Sequence, residues 1–286
     1  MSKPWNVKIQ HLLPQRAVSA LAYRLARSRL GPLKNLMIRA FIRRYNVDMS
    51  IAEADGAEEY PDFNSFFTRA LQPDARPVSA AADAVVSPVD GCVSQLGHIR
   101  HGYLIQAKNI KYTALDLLGN DPDAALAFSK GAFITLYLAP GDYHRVHMPV
   151  AGTLEKMAYV PGSLFSVNPV TAANIHGLFA RNERVIGLFD TSHGKLGVIL
   201  IGAICVGSME TVWAGQVTPA ADRTASTWSY DHLRDPVSLD KGDEMGRFNM
   251  GSTVVLLFQK ERVEWLEKLK PGDRVQMGQK IGTLVG

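Results

Sequence analysis

Residues 249–258 read NMGSTVVLLF, in which a Gly-Ser pair is followed almost at once by five large apolar residues. The run from Val254 to Phe258 carries no charge and is rich in aliphatic and aromatic side chains, a pattern that predicts a buried strand. Because Gly251 has no Cβ, the backbone can bring the Ser252 hydroxyl close to the Gly251 carbonyl. The stretch therefore predicts a core strand with a reactive pair at its start.

Similar short runs follow from residue 84 onward, separated by Gly, Pro, Asp and Asn. Regular strands with turn residues between them are typical of an antiparallel β body. The predicted strands are 84–86, 91–96, 103–107, 133–138, 152–159, 185–189, 196–206, 211–217, 253–258 and 279–285. Residues 114–129 are predicted to form a helix. With amphipathic helices at the N-terminus, the pattern predicts an α+β fold whose mainly antiparallel body is sandwich-like or barrel-sandwich-like.

The composition indicates a folded protein with a substantial core, since 47% of the 286 residues are apolar. The longest charge-free apolar stretch, Leu196 to Met209, is too short to span a bilayer, so we expect no transmembrane helix. The first residues lack the pattern of a secretory signal. Cys92 and Cys205 lie in apolar, strand-like surroundings, which favours a reducing compartment and cytoplasmic exposure.

Charge is distributed unevenly along the chain. The net charge is +4, but residues 1–47 hold ten Lys or Arg and no acid, so the rest is net acidic. Val18, Leu21 and Leu25 share one helical face, and Arg16 and Arg24 lie on the other. We expect residues 1–60 to form a basic helical arm that lies on an anionic membrane surface, and residues 61–286 to form the β-rich domain.

The arm has two other interpretations. In one, two helices dock on the body and leave a solvated basic face. In the other, the arm binds nucleic acid, but it lacks the aromatic-basic interleaving expected of a nucleic-acid reader. We therefore expect no nucleic-acid partner.

Three polar clusters interrupt the apolar strands: residues 88–91 (PVDG), 142–149 (DYHRVHMP) and 251–253 (GST). Asp90, His144, His147 and Ser252 thus each lie at the edge of a predicted strand. A lone histidine in such a place usually has a structural role. A serine, a histidine and an acid together can act as a nucleophile, its base and the group that orients the base, respectively. The order of the clusters leaves open whether they meet.

Two established chemistries fit these residues poorly. A serine hydrolase of the α/β type needs Gly-x-Ser-x-Gly, but Met250 and Val254 stand where its glycines would fall. A metal site could use Asp90, His144 and His147, yet the spacing of the two histidines in a strand or loop does not place both rings on one face. We keep both hydrolases as alternatives and expect no metal.

A third chemistry uses the Gly251–Ser252 bond itself. If His147 accepts the hydroxyl proton and Asp90 orients the imidazole, attack on the Gly251 carbonyl exchanges the amide for an ester. β-Elimination then cuts the chain and leaves dehydroalanine, which hydrolyses to a pyruvoyl group and ammonia. The sequence thus allows a cofactor to be made from Ser252.

These residues lie in strings that closely resemble those of the bacterial membrane-associated phosphatidylserine decarboxylases, and the likeness runs from the basic arm to the final hairpin. Several are long and unusual, and they follow the order found in that family. The strings are FNSFF (63–67), PVDG (88–91), DYHRVHMP (142–149), LFSVN (164–168), FARNER (179–184), VGS (206–208), TVWAG (211–215) and KGDEMGRF (241–248).

The resemblance implies that Asp90, His147 and Ser252 are the self-processing triad. It implies cleavage between Gly251 and Ser252 into a β chain, residues 1–251, and an α chain, residues 252–286, that begins with a pyruvoyl group. His144 matches the position that the family uses in decarboxylation, and it is our candidate proton donor. The alternative is that His144 only shapes its loop.

The resemblance also implies the reaction and its location. Phosphatidylserine would lose carbon dioxide through a Schiff base to the pyruvoyl group and become phosphatidylethanolamine. The enzyme would be peripheral, on the cytoplasmic face of the inner membrane, with phosphatidylserine and the anionic surface as partners. The oligomeric state stays open, a homo-oligomer included.

Two further points remain open. Phe165 and Ser166 are candidates to line the entry of the head group or acyl chains, but an apolar loop packed on the core would have the same sequence. The alternative to an enzyme is a β-sandwich that the arm docks to membranes, with the Gly-Ser pair only a turn.

Overall fold

The structure is a computed structural model that describes residues 4–107, 110–204, 208–220, 222–249 and 252–286, with the backbone alone at Asn6 and Ser252. The helices are α1 (Trp5–Leu12), α2 (Gln15–Ala26), α3 (Gly31–Tyr45), α4 (Phe63–Phe67), α5 (Ala114–Leu117), α6 (Pro122–Phe128), α7 (Pro169–Ala172) and α8 (Leu178–Arg181). The strands are β1 (Ala84–Val86), β2 (Gly91–His98), β3 (Tyr103–Ala107), β4 (Ile110–Thr113), β5 (Ala132–Leu138), β6 (Arg145–His147), β7 (Gly152–Val160), β8 (Arg184–Thr191), β9 (Gly194–Ile201), β10 (Met209–Thr211), β11 (Gly215–Gln216), β12 (Ser226–Ser229), β13 (Ser238–Leu239), β14 (Glu244–Phe248), β15 (Ser252–Phe258), β16 (Val263–Trp265), β17 (Arg274–Val275) and β18 (Lys280–Leu284).

The predicted core strand is β15, and it lies inside the largest sheet. It pairs antiparallel with β5, from Ser252 opposite Leu138 to Phe258 opposite Ala132. On its other side it pairs antiparallel with β9, from Thr253 opposite Ile201. The side chains from Val254 to Leu257 are fully buried, because both faces of the sheet are covered. The prediction of a buried strand after the Gly-Ser pair is confirmed.

The other strands build an open, antiparallel architecture around β15. The largest sheet has the order β12-β7-β8-β9-β15-β5-β2-β17, with β13 also paired to β7. The smaller sheets are β11-β10-β14-β6, β1-β18-β16 and the hairpin β3-β4. The strand pairs are antiparallel, and together with the N-terminal helices they confirm the predicted α+β class.

Three predicted elements were wrong. The predicted strand 196–206 ends at Ile201, the last residue of β9, and residues 202–204 are not in a strand. The predicted helix over residues 114–129 is divided into α5 and α6, because Gly119 and Asn120 adopt left-handed conformations with φ of +72° and +63°. Asp121 then caps the second helix by accepting from the Ala124 N–H. The predicted strand 211–217 is a hairpin of β10 and β11, with a turn at residues 212–214.

The described part of the arm, residues 4–60, contains three helices and packs on the body. The first of them, α1, had not been predicted. Ala26 and Ile38 share a hydrophobic cluster with Phe63, Phe66 and Phe67 of α4. The contact is polar elsewhere, since the side chains of Gln10 and Gln15 accept backbone N–H bonds from the loop at residues 164–166. A domain boundary near residue 60 stays a prediction.

A buried cation holds two parts of the arm together. The Lys34 ammonium on α3 is 7% exposed and donates to the carbonyls of Ala57, Glu58 and Tyr60. These oxygens replace the water that the ammonium loses on burial. The residue therefore holds α3 against the segment that leads into α4.

Part of the apolar surface of the arm stays uncovered. Leu12, Leu21 and Leu36 are 60–81% exposed, and Trp5 and Leu30 are also exposed. Among the helices in the described ranges, none combines the length and the apolar character that crossing a membrane requires. The helices thus dock on the body through one face and present apolar side chains on another.

Candidate active site

The start of β15 lies beside the segment that carries the two histidines. Ser252 pairs with Leu138, the last residue of β5. From there the chain runs through residues 139–144 into β6, which ends at His147. The carbonyl of His144 accepts the N–H of Phe248, near the end of the strand that leads toward Ser252. The backbone thus brings His144, His147 and the Ser252 position into one region.

Asp90 joins this region through the start of β2. The Pro88 carbonyl accepts the His147 N–H at 2.9 Å. Next to Asp90, a Cβ on Gly91 would lie 2.6 Å from the Tyr137 carbonyl oxygen, so only glycine permits this close approach of β2 to β5. The fold therefore gathers the four positions that the sequence singled out.

His147 is held as a neutral base. Its Nδ1 lies 2.8 Å from the Gly242 carbonyl oxygen, which can only accept, so Nδ1 carries the proton. Nε2 is then an acceptor, and it receives the Tyr143 hydroxyl at 3.0 Å. Burial lowers the pKa of the imidazole, which keeps the ring neutral. Nε2 is thus the nitrogen able to take up a proton.

Asp90 does not orient this imidazole directly in the structure. Among the described residues, its partners are the Arg76 guanidinium, with Nε at 2.9 Å and Nη2 at 2.7 Å, and the Met277 N–H at 2.8 Å. The orienting contacts on His147 come from Gly242 and Tyr143. Burial lowers the pKa of His147 overall, and the negative charge of Asp90 acts in the opposite direction. The triad role of Asp90 stays a prediction.

His144 is fully buried and stacks on Phe67, with ring centroids 4.0 Å apart. Its Nε2 donates to the Pro140 carbonyl at 3.2 Å, so Nδ1 is unprotonated, and Nδ1 has no partner among the described residues. Burial lowers the pKa of this histidine to about 3. Arg69 acts in the same direction. In this state His144 is neutral and has an unused acceptor.

A cavity of about 680 Å³ opens beside Asp90 and Tyr143, lined by Arg69, Arg76 and Arg274. Arg76 is paired with Asp90 and Arg274 with Asp142. Arg69 is 4% exposed, and its Nη2 lies 3.2 Å from the Gly141 carbonyl oxygen. Its Nε and Nη1 have no partner among the described residues. A buried guanidinium in this state favours an anionic ligand, because an anion would compensate for its lost hydration.

Phe165 and Ser166 lie against the arm. Phe165 is buried and lines a second cavity, of about 760 Å³, together with His11, Arg16 and Arg181. The Ser166 N–H donates to the Gln10 side chain at 2.9 Å. The loop therefore forms the contact between arm and body, and its proposed role at the substrate entry stays a prediction.

Some predicted features lie outside the described residues: Cys205, Met250 and Gly251, as well as the Ser252 side chain. In the described part of the chain, no three His, Cys, Asp or Glu side chains are placed to hold a metal ion.

Sequence reasoning missed several partners at this site. Tyr143 was quoted within a motif without a role, although it lies four residues before His147. Gly242 contributes a backbone carbonyl oxygen, and such a contact cannot be predicted from the residue type. Arg69 and Arg76 follow the FNSFF string, and a cation amid aromatic residues was a usable signal for the first. Asn249 was quoted only as the flank of the Gly-Ser pair.

Comparison with known proteins gives consistent matches. A family model described as phosphatidylserine decarboxylase matches residues 63–283, and another described as PSD matches residues 6–46. A phosphatidylserine decarboxylase proenzyme of Nitrosococcus oceani is 52% identical over 284 residues, covering 99% of this chain and 92% of that protein. Proteins of the same name from Shewanella sp. (strain MR-4) and Stutzerimonas stutzeri are 50% and 52% identical. They cover 98% and 96% of this chain, and 96% and 92% of their own lengths.

The buried neutral histidines predict an acid-sensitive fold. In the unfolded chain a histidine has a pKa of about 6.5. His144 has a folded pKa of about 3, so the unfolded chain binds more protons between these values and stability falls as the pH drops through them. In a Ser252→Ala background, we expect His144→Gln to shrink the difference in urea midpoint between about pH 7 and about pH 5. The exposed His98, changed to Gln, is the control. An undiminished difference in His144→Gln would contradict the assignment.

Proposed function

Because the chain belongs to the phosphatidylserine decarboxylase family, it is an enzyme, a decarboxylase, and we propose that it makes its own catalytic carbonyl by cutting the Gly251–Ser252 bond. In this proposal it converts phosphatidylserine to phosphatidylethanolamine and carbon dioxide. The main support is the buried, neutral His147, whose protonated Nδ1 is bound to Gly242 and whose Nε2 can accept a proton. The proenzyme names of the relatives agree with a chain that is processed.

Self-cleavage begins with the Ser252 hydroxyl. His147 accepts its proton, and the oxygen bonds to the Gly251 carbonyl carbon. The Ser252 nitrogen then leaves that carbon as an amine, taking the proton back from His147, so that an ester replaces the amide. His147, neutral again, then takes the Ser252 α-proton, a Cα=Cβ double bond forms, and the Cβ–O bond breaks. This step releases the Gly251 carboxylate as the end of the β chain and leaves dehydroalanine on the α chain. Addition of water and loss of ammonia complete the pyruvoyl group.

Tyr143 and Asp90 assist the first step. Tyr143 occupies Nε2 in this structure, so its hydroxyl either turns aside or passes the Ser252 proton to the imidazole. Asp90 supplies negative charge that stabilises the imidazolium formed during attack, an effect in the same direction as its influence on the pKa of His147. Arg76 and the Met277 N–H hold the Asp90 carboxylate in place.

A pyruvoyl group formed from Ser252 would lie at the start of β15, opposite Leu138 of β5. That group would supply a ketone that binds the substrate amine and takes up the electron pair released with carbon dioxide. His144 returns a proton to the former α-carbon. Because burial lowers its pKa to about 3, His144 needs an anionic neighbour to become protonated, and the anionic substrate provides one. Arg69 and the cavity beside Asp90 hold an anionic part of the head group.

The proposed α chain stays bound after cleavage. It contains β15, which pairs with both β5 and β9 of the β chain. It also contains β18, which pairs with β1, and β17, which pairs with β2. These strand pairs join the α chain to the β chain in two sheets. Separating the fragments would therefore require breaking strand pairs in both sheets.

The arm brings the enzyme to its lipid. Exposed leucines together with the acid-free basic segment fit a peripheral helix in an anionic membrane interface, on the cytoplasmic face of the inner membrane. An apolar cavity of about 460 Å³ between α2 and α3, lined by Leu25, Met37 and Phe41, suits an acyl chain. The arm thus provides both the anionic attraction and the apolar contact that a phospholipid needs.

Intact mass tests the proposal directly. We expect the purified protein to show two masses, for residues 1–251 and for residues 252–286 with a pyruvoyl N-terminus that blocks Edman sequencing. Ser252→Ala should remain one chain and release no carbon dioxide from phosphatidylserine. An active wild-type preparation that consists of one intact chain would sink the proposal.

The two histidines should separate cleavage from decarboxylation. We expect His147→Ala to block cleavage, because no base remains for the Ser252 hydroxyl. His144→Ala should still be cleaved but should lose decarboxylation by about 10²-fold or more, the usual contribution of a proton donor. Denaturing gels report the first effect and carbon dioxide release the second, with His98→Ala as the control. The opposite pattern would mean that the two roles are exchanged.

Exposed arm leucines should control membrane binding. We expect Leu12→Ser, Leu21→Ser and Leu36→Ser together to weaken binding to anionic vesicles by at least about tenfold, because each removes apolar surface from the interface. The matched control changes Leu115, Leu126 and Leu233, exposed leucines of the body, to Ser. Wild-type binding should also fall as salt rises. Equal binding of the two triple variants would favour helices that only dock on the body.

A further inference from the structure

Asn249, three residues before Ser252, is hydrogen-bonded through both its side chain and its backbone. Its side chain is 3% exposed, and its Nδ2 donates to the Ser208 hydroxyl at 2.7 Å and to the Glu210 carboxylate at 2.6 Å. Its Oδ1 accepts from the Asn64 amide at 3.0 Å. The Asn249 N–H donates to the Ser208 carbonyl at 2.9 Å. The residues Asn64, Ser208, Glu210 and Asn249 form what we call the amide clamp.

The clamp joins separate parts of the fold. Asn64 belongs to α4, Glu210 to β10, and Ser208 directly precedes β10, whereas Asn249 directly follows β14. The hydrogen bond to Glu210 is charge-assisted and therefore stronger than one between neutral groups. A buried amide with every group satisfied fixes both its backbone position and its side-chain rotamer.

The clamp and β15 fix the chain on the two sides of the proposed cleavage site. Downstream, Ser252 and Thr253 are paired in the sheet, with Leu138 and Ile201 respectively. Upstream, Asn249 is held by the clamp, and two residues connect it to Ser252. Attack within the chain depends on how well the reacting groups are held, and a misplacement of about 1 Å can cost about 10²-fold in rate.

We propose that Asn249 and Glu210 are positioning residues for self-cleavage, acting on the chain just before the Gly251–Ser252 bond. The inference rests on the proposed function, since it concerns the same bond. Neither side chain takes part in proton transfer or bond formation. Their role is to keep the entering chain where the Ser252 hydroxyl can reach the Gly251 carbonyl.

Exchanging the hydrogen-bond donor and acceptor between Asn249 and Glu210 tests this positioning role. Asn249→Asp sets a second carboxylate against Glu210 and removes the donor, so we expect the light fragment to appear at least about tenfold more slowly in a time course of cell-free synthesis. Adding Glu210→Gln restores a donor–acceptor pair of opposite direction. We expect the double variant to recover to within about threefold of wild type. Glu210→Gln alone keeps a neutral acceptor for Asn249 but loses the charge, so we expect it to be cleaved more slowly than wild type and faster than Asn249→Asp.

The matched control is Arg27→Gln. Arg27, which directly follows α2, lies 3.6 Å from Glu210 with both side chains partly exposed, so this contact is weak and its loss should leave cleavage unchanged. Thermal unfolding of every variant is measured in a Ser252→Ala background, where all chains stay whole. Rescue of cleavage without a matching change in melting temperature identifies positioning, because a general loss of stability would move both.

The outcomes separate the two claims. Wild-type rates in Asn249→Asp, or a double variant as slow as the single one, would overturn the clamp and leave the proposed function standing. A wild-type chain that stays whole would overturn the proposed function and this inference together.

Discussion

Pairing of β15 on both edges is the constraint on which the rest of the structure depends. Because β5 and β9 both bind it, its register cannot shift without breaking two ladders of hydrogen bonds. Ser252 is the first residue of this fixed strand, and the end of β5 leads directly into the segment of the two histidines. The strand thus places Ser252 in the same region as the two histidines and the cavity beside Asp90. Rigid scaffolds around a short reactive segment are a general way to obtain such accuracy.

Burial of ionisable groups determines which side chains in this region are charged. The two histidines are neutral, and the Asp90 charge is matched by Arg76. Arg69 is the buried cation lining the cavity that lacks a carboxylate partner among the described residues. One added negative charge would therefore compensate for the charge of Arg69. A bound anion would also raise the pKa of a nearby histidine. In the proposed function, substrate binding and proton supply would in this way be coupled through one set of charges.

The sequence predicted the parts of the fold that rest on local pattern. β1 and β3 have the predicted bounds, and β15 begins one residue earlier than predicted, because apolar runs bounded by turn residues have few alternatives. The division of residues 114–129 was missed because it depends on left-handed conformations at Gly119 and Asn120. At the site, residue types pointed to His147, but its partner Gly242 is 95 residues away and contributes only a carbonyl oxygen. Such a contact is a product of the tertiary fold and cannot be read from composition or spacing.

The position of β15 has a consequence for how long a cleaved molecule stays folded. Refolding of an intact chain is a first-order process, since all its strands belong to one molecule. Once the Gly251–Ser252 bond is cut, the central strand belongs to a separate short peptide, and recovery becomes a second-order encounter between two pieces that depends on their concentration. The working life of a mature molecule would then be set by its rate of unfolding, so that its durability is kinetic. Each molecule would fold once, before the cut, and would not be expected to be renewed by chaperones afterwards.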